Sequence, residues 1–197
     1  MAIDGPGGTG KSTLASQLAK DLGAEIIPMD HFLLPEASYR LSAIAKNYDL
    51  ERFVQDVIDP IVLGEPIRYE VQDSKTGKPR VIRVPREKPV IIEGIYSLEI
   101  RAREAYDFSF FVNADRETLL RRGVAAASGS GSWLSKWLVG EETYLEAQSP
   151  ILAATLILDG SVPFPSTAQL MEMVELRLNQ ESKESITPKS GPVKGFR

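Results

Sequence analysis

Residues 5–12 read Gly-Pro-Gly-Gly-Thr-Gly-Lys-Ser, and this stretch restricts the possible folds of the chain more than any other. Glycine lets the backbone curl where a Cβ would collide. The spacing Gly-x-x-x-x-Gly-Lys-Ser builds a loop whose successive N–H groups wrap phosphate oxygens. The lysine then reaches the outer phosphates and the serine hydroxyl holds magnesium. Gly5, Gly7, Gly8, Thr9, Gly10, Lys11, Ser12 and Thr13 are thereby the expected nucleotide-binding residues. Leu14, Ala15, Leu18, Ala19 and Leu22 follow at helical spacing, and Gly23 stands where a helix stop belongs. The loop therefore opens a helix, and the dipole of that helix adds to the anion site.

A competing pattern uses the same residues. Gly5, Gly7 and Gly10 satisfy Gly-x-Gly-x-x-Gly, and Asp30 follows about 20 residues on, where a dinucleotide-binding oxidoreductase keeps its ribose acid. That reading leaves Lys11 and Ser12 without a task. A lysine at the mouth of the helix suits a terminal phosphate better than a buried pyrophosphate bridge, so the dinucleotide reading is the lesser alternative.

The chain has 197 residues, long enough for one medium domain with a real core. With 43% hydrophobic residues, 25% charged residues and a net charge of -4, it reads as an ordinary globular chain, and the acidic balance argues against a nucleic-acid-coating surface. Small molecules are the expected partners. There is no cysteine, so disulfides and thiolate-bound zinc are excluded. His31 is the single histidine, which rules out multi-histidine metal sites. No apolar run reaches the ~20 residues of a membrane span, and no basic-then-apolar leader opens the sequence, so the expectation is a cytoplasmic protein without membrane contact. The oligomeric state is left open.

Taken in order, only Met1, Ala2 and Ile3 precede Asp4, so the strand feeding the loop is short. Ala24 to Met29 reads as a buried parallel strand that ends at Asp30-His31-Phe32. Ligands of open α/β sheets bind beyond the carboxyl ends of the strands, which sets the Asp30 carboxylate beside the phosphate loop as a candidate base. His31 reads as a packing or positioning residue. Asp49 precedes a helical run with Leu50, Phe53, Val54, Val57 and Ile58 on one side, and it suits either a helix cap or a contact to substrate hydroxyls. Ile67 to Val71 and Val81 to Val84, split by a polar turn, predict a hairpin inserted between parallel strands, over about 67–85. Tyr69 on it is either a ring that stacks on substrate or an ordinary cross-strand packing residue.

Pro89 to Gly94 gives the next buried strand, with Glu93 at its carboxyl end, where a second carboxylate would hold magnesium or its waters and face the substrate. Phe108 to Val112 is a further strand and leads to a helix carrying Arg121 and Arg122, candidates for answering charge on a transferring phosphate. Ala125 to Ser132 is small and rich in Gly and Ser, the composition of a mobile lid, placed at about 123–133. Trp133 and Trp137 share a helical face and read as core. Ala154 to Asp159 supplies the last strand, Ser166 to Gln169 a capping box, and Leu170, Met173, Val174 and Leu178 the stripe of a closing helix. Residues 181–197 read as a tail outside the domain. The predicted fold is a three-layer α/β domain with a parallel sheet of about five strands, helices on both faces, the inserted hairpin and a short lid.

Taken together, Ile3-Asp4-Gly5 with the loop, Met29-Asp30-His31-Phe32, Asn47-Tyr48-Asp49, Ile92-Glu93-Gly94-Ile95 and the Arg121-Arg122 helix resemble the uridine kinase, phosphoribulokinase and bacterial pantothenate kinase family, over most of residues 1–160. The resemblance implies the P-loop NTP hydrolase/kinase fold, ATP and Mg2+ as cofactors, and phosphoryl transfer to a hydroxyl of a small metabolite, uridine-like nucleosides first. It implies that Asp30 is the catalytic base, that Lys11, Arg121 and Arg122 assist transfer, and that Ser12 and Glu93 serve the metal. Phe32, Asp49, Tyr69, Asp30 and Glu93 become the substrate-facing set. Uridine kinases carry Asn-Phe-Asp where this chain has Asn47-Tyr48-Asp49. Two departures stand out: Ala125-Ala126-Ala127 replaces an expected Arg-Asp pair, and the histidine that helps read the pyrimidine ring in uridine kinases has no counterpart near Ser74. A nucleotide-binding regulatory protein with little transfer activity is therefore the alternative from another class.

Overall fold

The computed structural model describes residues 1–34, 47–72, 77–127 and 143–186. Its frame is a sheet of five parallel strands: β1 (Ala2–Asp4), β2 (Glu25–Pro28), β5 (Val90–Glu93), β6 (Ser109–Asn113) and β7 (Leu156–Asp159), in the spatial order β2-β5-β1-β6-β7. The remaining two strands, β3 (Ile67–Gln72) and β4 (Pro79–Val84), pair with each other as a separate antiparallel hairpin between β2 and β5 in the chain. β1 is only 3 residues long, yet each of them is buried and it pairs with β5 on one side and β6 on the other. A central position supplies both hydrogen-bonded neighbours, so a short strand suffices there.

Helix α1 (Lys11–Leu22) follows the glycine-rich loop and ends on Gly23, whose φ of 64° closes the helix in the left-handed conformation. Leu14, Ala15 and Leu18 of α1 pack with Leu170 and Val174 of α7 (Thr167–Ile186) against Ile3, Phe110, Val112 and Leu158 of the sheet. The opposite face carries a second apolar cluster in which Phe32, Tyr48, Phe53, Val57 and the inner face of the hairpin meet Ile92, Tyr96 and Tyr144. The sheet thus lies between two cores, and the predicted three layers are present. Burying each large apolar side chain contributes about 1.5–3 kcal/mol.

Between the first 3-10 turn (Met29–Phe32) and the hairpin, α2 (Leu50–Phe53) runs through a π-helical turn (Val54–Ile58) into α3 (Asp59–Leu63). Pro60 has no N–H to donate backward, and its ring crowds the preceding turn; the helix widens just before it. Alternation on the hairpin is clean: Ile67, Tyr69 and Val71 point inward while Arg68, Glu70 and Gln72 are exposed.

Helix α4 (Arg116–Ala127) carries Arg121 and Arg122 and continues through Ala125–Ala127. Those three alanines, read from sequence as the start of a flexible stretch, are the last turn of this helix, as alanine's high helix propensity favours. The rest of the expected lid, with Trp133 and Trp137, lies outside the described residues. After helical residues 143–148 (α5) and α6 (Pro150–Ala153), α7 opens on the expected capping box. The Ser166 N–H donates to Gln169 Oε1 at 3.0 Å, and the Gln169 N–H returns to Ser166 Oγ at 3.4 Å. Of the stripe expected on α7, Leu170 and Val174 are buried, whereas Met173 and Leu178 stay exposed. The helix extends to Ile186, beyond the point at 181 where the tail was expected to begin. No helix among the described residues is long and apolar enough to cross a membrane.

Candidate active site

Parallel pairing brings three chain segments to one edge of the sheet. Ile3 is opposite Glu93 in the β1–β5 register, and Pro28 is opposite Glu93 in the β2–β5 register. The loop that begins at Gly5, the turn that holds Asp30 and the Glu93 carboxylate therefore leave the sheet side by side. Gly5 has φ 140°, and a Cβ there would sit 2.0 Å from the Val112 carbonyl oxygen, so only glycine fits. Gly10, at φ 101°, caps α1 and leaves its first turn open toward the loop. The Lys11 side chain folds back along the loop, its Nζ donating to the Pro6 carbonyl at 2.8 Å, and Thr9 Oγ1 donates to the same carbonyl at 3.0 Å. Thr13 lies in the first turn of α1 with its side chain exposed.

Ser12 Oγ donates to Glu93 Oε1 at 3.2 Å, so the two expected metal-site groups are in direct contact. Burial pushes the Glu93 carboxyl above the usual range. The Lys11 ammonium and the Ser12 hydroxyl pull it back, while the carboxylates of Asp30 and Asp4 add to the rise. Asp30 accepts a hydrogen bond from the Tyr48 hydroxyl at 3.1 Å. That contact is a product of the tertiary fold, since Tyr48 reaches it from beyond residues 35–46.

Asp4 was not singled out as a site residue, yet it is fully buried at the root of the loop. Its carboxylate accepts from the N–H of Gly5 (2.6 Å), the N–H of Leu98 (2.8 Å) and the hydroxyl of Tyr144 (2.6 Å). Burial raises its pKa, and those three donors with nearby Lys11 oppose the rise. A signal was present: an acid at the end of a buried strand, the same argument that singled out Glu93.

The arginine pair divides. Arg122 Nη1 donates to the Gly8 carbonyl at 3.1 Å and so touches the phosphate loop, whereas Arg121 Nη2 turns to Thr118 Oγ1 of its own helix at 3.4 Å. A helical step of one residue rotates by ~100°, so adjacent side chains cannot serve the same point. Arg121 is not brought to the loop.

Two clefts flank this edge. The first, about 760 Å³, is lined by Gly8, Lys11, Ser12, Arg122, Gly160 and Phe164 among others. The loop after β7 was missed from sequence because only the tertiary contact identifies it; the Phe164 ring stands 3.4 Å from where a Gly10 Cβ would be. The second cleft, about 960 Å³, is lined by Asp30, His31, Asp49, Arg52, Val71 and Arg80 among others. A smaller depression of about 220 Å³ involving Met1, Pro85 and Tyr106 contains none of the motif residues.

Asp49 is the helix cap, its carboxylate accepting from the Arg52 N–H at 3.2 Å at the start of α2, and it also lines the second cleft. Phe32 and Tyr69 do not face that cleft. Phe32 is wholly buried, Tyr69 is 3% exposed, and their rings stack on each other with centroids 5.3 Å apart. The inward position of Tyr69 on the hairpin directs it to the core, so both rings support the cleft wall from behind. His31 shares a 2.8 Å hydrogen bond with the Tyr69 hydroxyl and lines the second cleft.

No family model matches the chain. Among solved structures, a possible uridine kinase from Bacillus stearothermophilus superposes with a TM-score of 0.60 at 20% identity, covering 80% of this chain and 86% of that one. A candidate fructose transport system kinase from a Silicibacter species gives 0.52 at 26% identity, over 79% and 87%. The chain has the P-loop kinase fold. Its strand order fits that assignment and removes the dinucleotide alternative: the second parallel strand in the chain lies at the sheet edge with the third between it and the first, whereas the dinucleotide order sets the second beside the first. In sequence, the kinase-fold chain is 30% identical over 156 residues to the cytidylate kinase of Aeromonas hydrophila, across 77% of this chain and 60% of that protein's length.

Proposed function

We propose that this chain transfers the terminal phosphoryl group of ATP to a hydroxyl of a small metabolite. The observation that supports it most is that Asp30 lines the second cleft and follows β2 at the same edge of the sheet from which the phosphate loop and Glu93, in contact with Ser12, also leave. ATP would occupy the first cleft, its phosphates wrapped by the loop amides and met by Lys11 and Arg122. The acceptor would occupy the second cleft, with Asp30 oriented by the Tyr48 hydroxyl to take the acceptor proton as its oxygen attacks.

The Ser12 hydroxyl and Glu93 carboxylate are hard oxygen donors in mutual contact, a set that fits magnesium and would hold it. When bound, the metal neutralises charge that develops on the transferring phosphate. Lys11 keeps that region positive from the loop side, and Asp4 fixes the loop's first N–H.

A nucleoside acceptor is the finer form of the proposal, and it rests on Asp49, whose carboxylate lines the cleft where ribose hydroxyls would meet it. A phosphate acceptor is the second reading, favoured by the match to the Aeromonas hydrophila cytidylate kinase. A phosphorylation screen of nucleosides, nucleotides, sugars and pantothenate with ATP and magnesium tests the proposal. Product is expected from at least one class, and Asp30→Asn should lower kcat by about 10²- to 10⁴-fold. Tight ATP binding with no product across the panel would favour the regulatory alternative, and unchanged turnover in Asp30→Asn would remove the base assignment.

A further inference from the structure

Tyr69 sends its ring into the core beneath the hairpin, yet its hydroxyl still carries a proton to place. The other buried members of that inner row, Ile67, Val71 and Val84, are apolar. Burial raises the pKa of the phenol, so it stays protonated and is a donor. Among the described residues its one hydrogen-bond partner is His31 Nδ1, at 2.8 Å. If Nδ1 carried the imidazole proton, the phenol would accept and its own hydrogen would have no described partner; a buried donor left unpaired is costly. A phenol that donates to a bare Nδ1 satisfies both groups. That assignment puts the imidazole proton on Nε2, since the bond made by one ring nitrogen decides the state of the other.

The imidazole is also fixed in place and uncharged. Arg52 donates to the His31 carbonyl at 2.6 Å, so backbone and ring are held from two elements, α2 and the hairpin. Burial is the largest cause that lowers the His31 pKa; Arg80 and Arg52 add to it and Asp30 opposes them, which leaves the ring neutral at pH 7. Nε2 diverges from the Tyr69 bond across the ring and has no partner among the described residues. The carboxylates that line the same cleft are not bonded to it: Asp30 takes the Tyr48 hydroxyl, Asp49 caps α2, and Glu70 stands on the exposed side of β3. His31 itself lines this cleft next to Asp30 in the chain. A neutral N–H donor of fixed orientation therefore accompanies the proposed base.

We propose that His31 donates from Nε2–H to an uncharged oxygen of the phosphoryl acceptor, a hydroxyl or carbonyl other than the hydroxyl that reacts, and that Tyr69 fixes the tautomer this requires. The inference rests on the proposed function and deepens it by naming a specificity-determining residue in the acceptor cleft. A site built around a fixed donor separates ligands that carry the matching oxygen from those that lack it.

His31 is the single histidine of the chain, so untagged protein carrying isotope-labelled histidine gives one set of imidazole signals in a proton–nitrogen correlation spectrum. At pH 7 the expected spectrum shows a proton on Nε2 and a bare Nδ1. Tyr69→Phe, which keeps the ring and removes the donor, should release a mixture of the two tautomers. Glycerol, glucose, uridine and cytidine are then titrated with a non-hydrolysable ATP analogue and magnesium present, and at least one is expected to move the Nε2 resonance. Glucose offers hydroxyl oxygens and uridine adds ring carbonyls, so the probe that moves it tells the two apart. By calorimetry, His31→Ala should weaken that probe about 10- to 100-fold with the affinity for the ATP analogue unchanged, and His31→Gln, which retains a neutral N–H donor, should keep part of it. A proton on Nδ1, a panel that leaves Nε2 unmoved, or an unchanged probe affinity in His31→Ala overturns the inference. Turnover with ATP is read separately: a moved Nε2 resonance without product sinks the proposed reaction and leaves this donor standing, while product with Nε2 unmoved does the reverse.

Discussion

At the residue scale, the carboxylates of the site differ in what surrounds them, and that decides how each responds to change. Tyr48 stands where the uridine kinase motif has phenylalanine, and its hydroxyl holds Asp30 Oδ1 at 3.1 Å while its ring packs edge-on against Tyr96 with centroids 5.0 Å apart. Tyr48→Phe keeps the ring contact and deletes only the donor. Steady-state kinetics should show kcat lowered about 3- to 10-fold with both KM values unchanged, and calorimetric melting should show little loss of Tm. Glu93 responds to pH. Its carboxyl is raised by burial, so the folded protein takes up this proton at a higher pH than the unfolded chain does; the ionised group destabilises the fold at neutral pH, and that cost disappears as pH falls. Glu93→Gln should therefore raise Tm at pH 7 and flatten its acid dependence, while the magnesium concentration for half-maximal activity rises. A fall in Tm at pH 7 with unchanged magnesium dependence would refute both halves.

At the scale of elements, the phosphate loop is held by contacts from segments far away in sequence. Asp4 ties β1 to Leu98 and, through Tyr144, to α5, which lies just beyond residues 128–142. The Tyr144 ring packs edge-on against Tyr96 at 4.7 Å, and Tyr96 packs against Tyr48, so one aromatic row runs from the Asp30 partner Tyr48 to the root of the loop. Tyr96 sits within it at φ 71°, a strained conformation for a bulky residue, and the packing on both sides of its ring keeps it there. The loop after β7 closes on the phosphate loop from the other side. Gly160 donates its N–H to the Asn113 carbonyl at 2.7 Å, and a Cβ on it would lie 1.8 Å from the Thr9 carbonyl oxygen. Gly160→Ala should push the two loops apart, raise the KM for ATP at least 10-fold with the acceptor KM unchanged, and cost about 1–3 kcal/mol of stability by overpacking. Kinetics and denaturant titration of the variant check this directly.

For the whole molecule, a ligand in the first cleft that binds only the folded chain acts on the stability of the complete domain. A nucleotide that binds only the folded state at 100 times its Kd adds about 2.7 kcal/mol. For a domain of this size, that corresponds to a Tm rise of about 5–10 °C with ATP and magnesium. Thermal melting should show this rise in wild-type protein and its loss in Lys11→Ala. An equal rise with NAD would contradict the strand order as well as the loop.

Periodicity and glycine placement were enough to locate the elements, because a strand in a parallel sheet must be apolar on both faces and a phosphate loop must lack side chains. Gly5 to Ser12, the five parallel strands, the hairpin and the capping box at Ser166 were legible on those grounds. Asp30 and Glu93 were legible as acids at the carboxyl ends of buried runs. What sequence could not supply is direction: Arg121 and Arg122 are equivalent in a string, and the phase of α4 sends only Arg122 to Gly8. The inward phase of β3 likewise took Tyr69 away from the cleft, while the pairing of β4 placed Arg80 over it. Asp4, Tyr144 and Gly160 gained their roles only when segments distant in the chain met, since a buried carboxylate, its donors and a missing Cβ acquire meaning from what lies within a few ångströms of them. Local sequence determined the loop and the elements by steric and hydrophobic rules, and tertiary packing decided which side chains line each cleft.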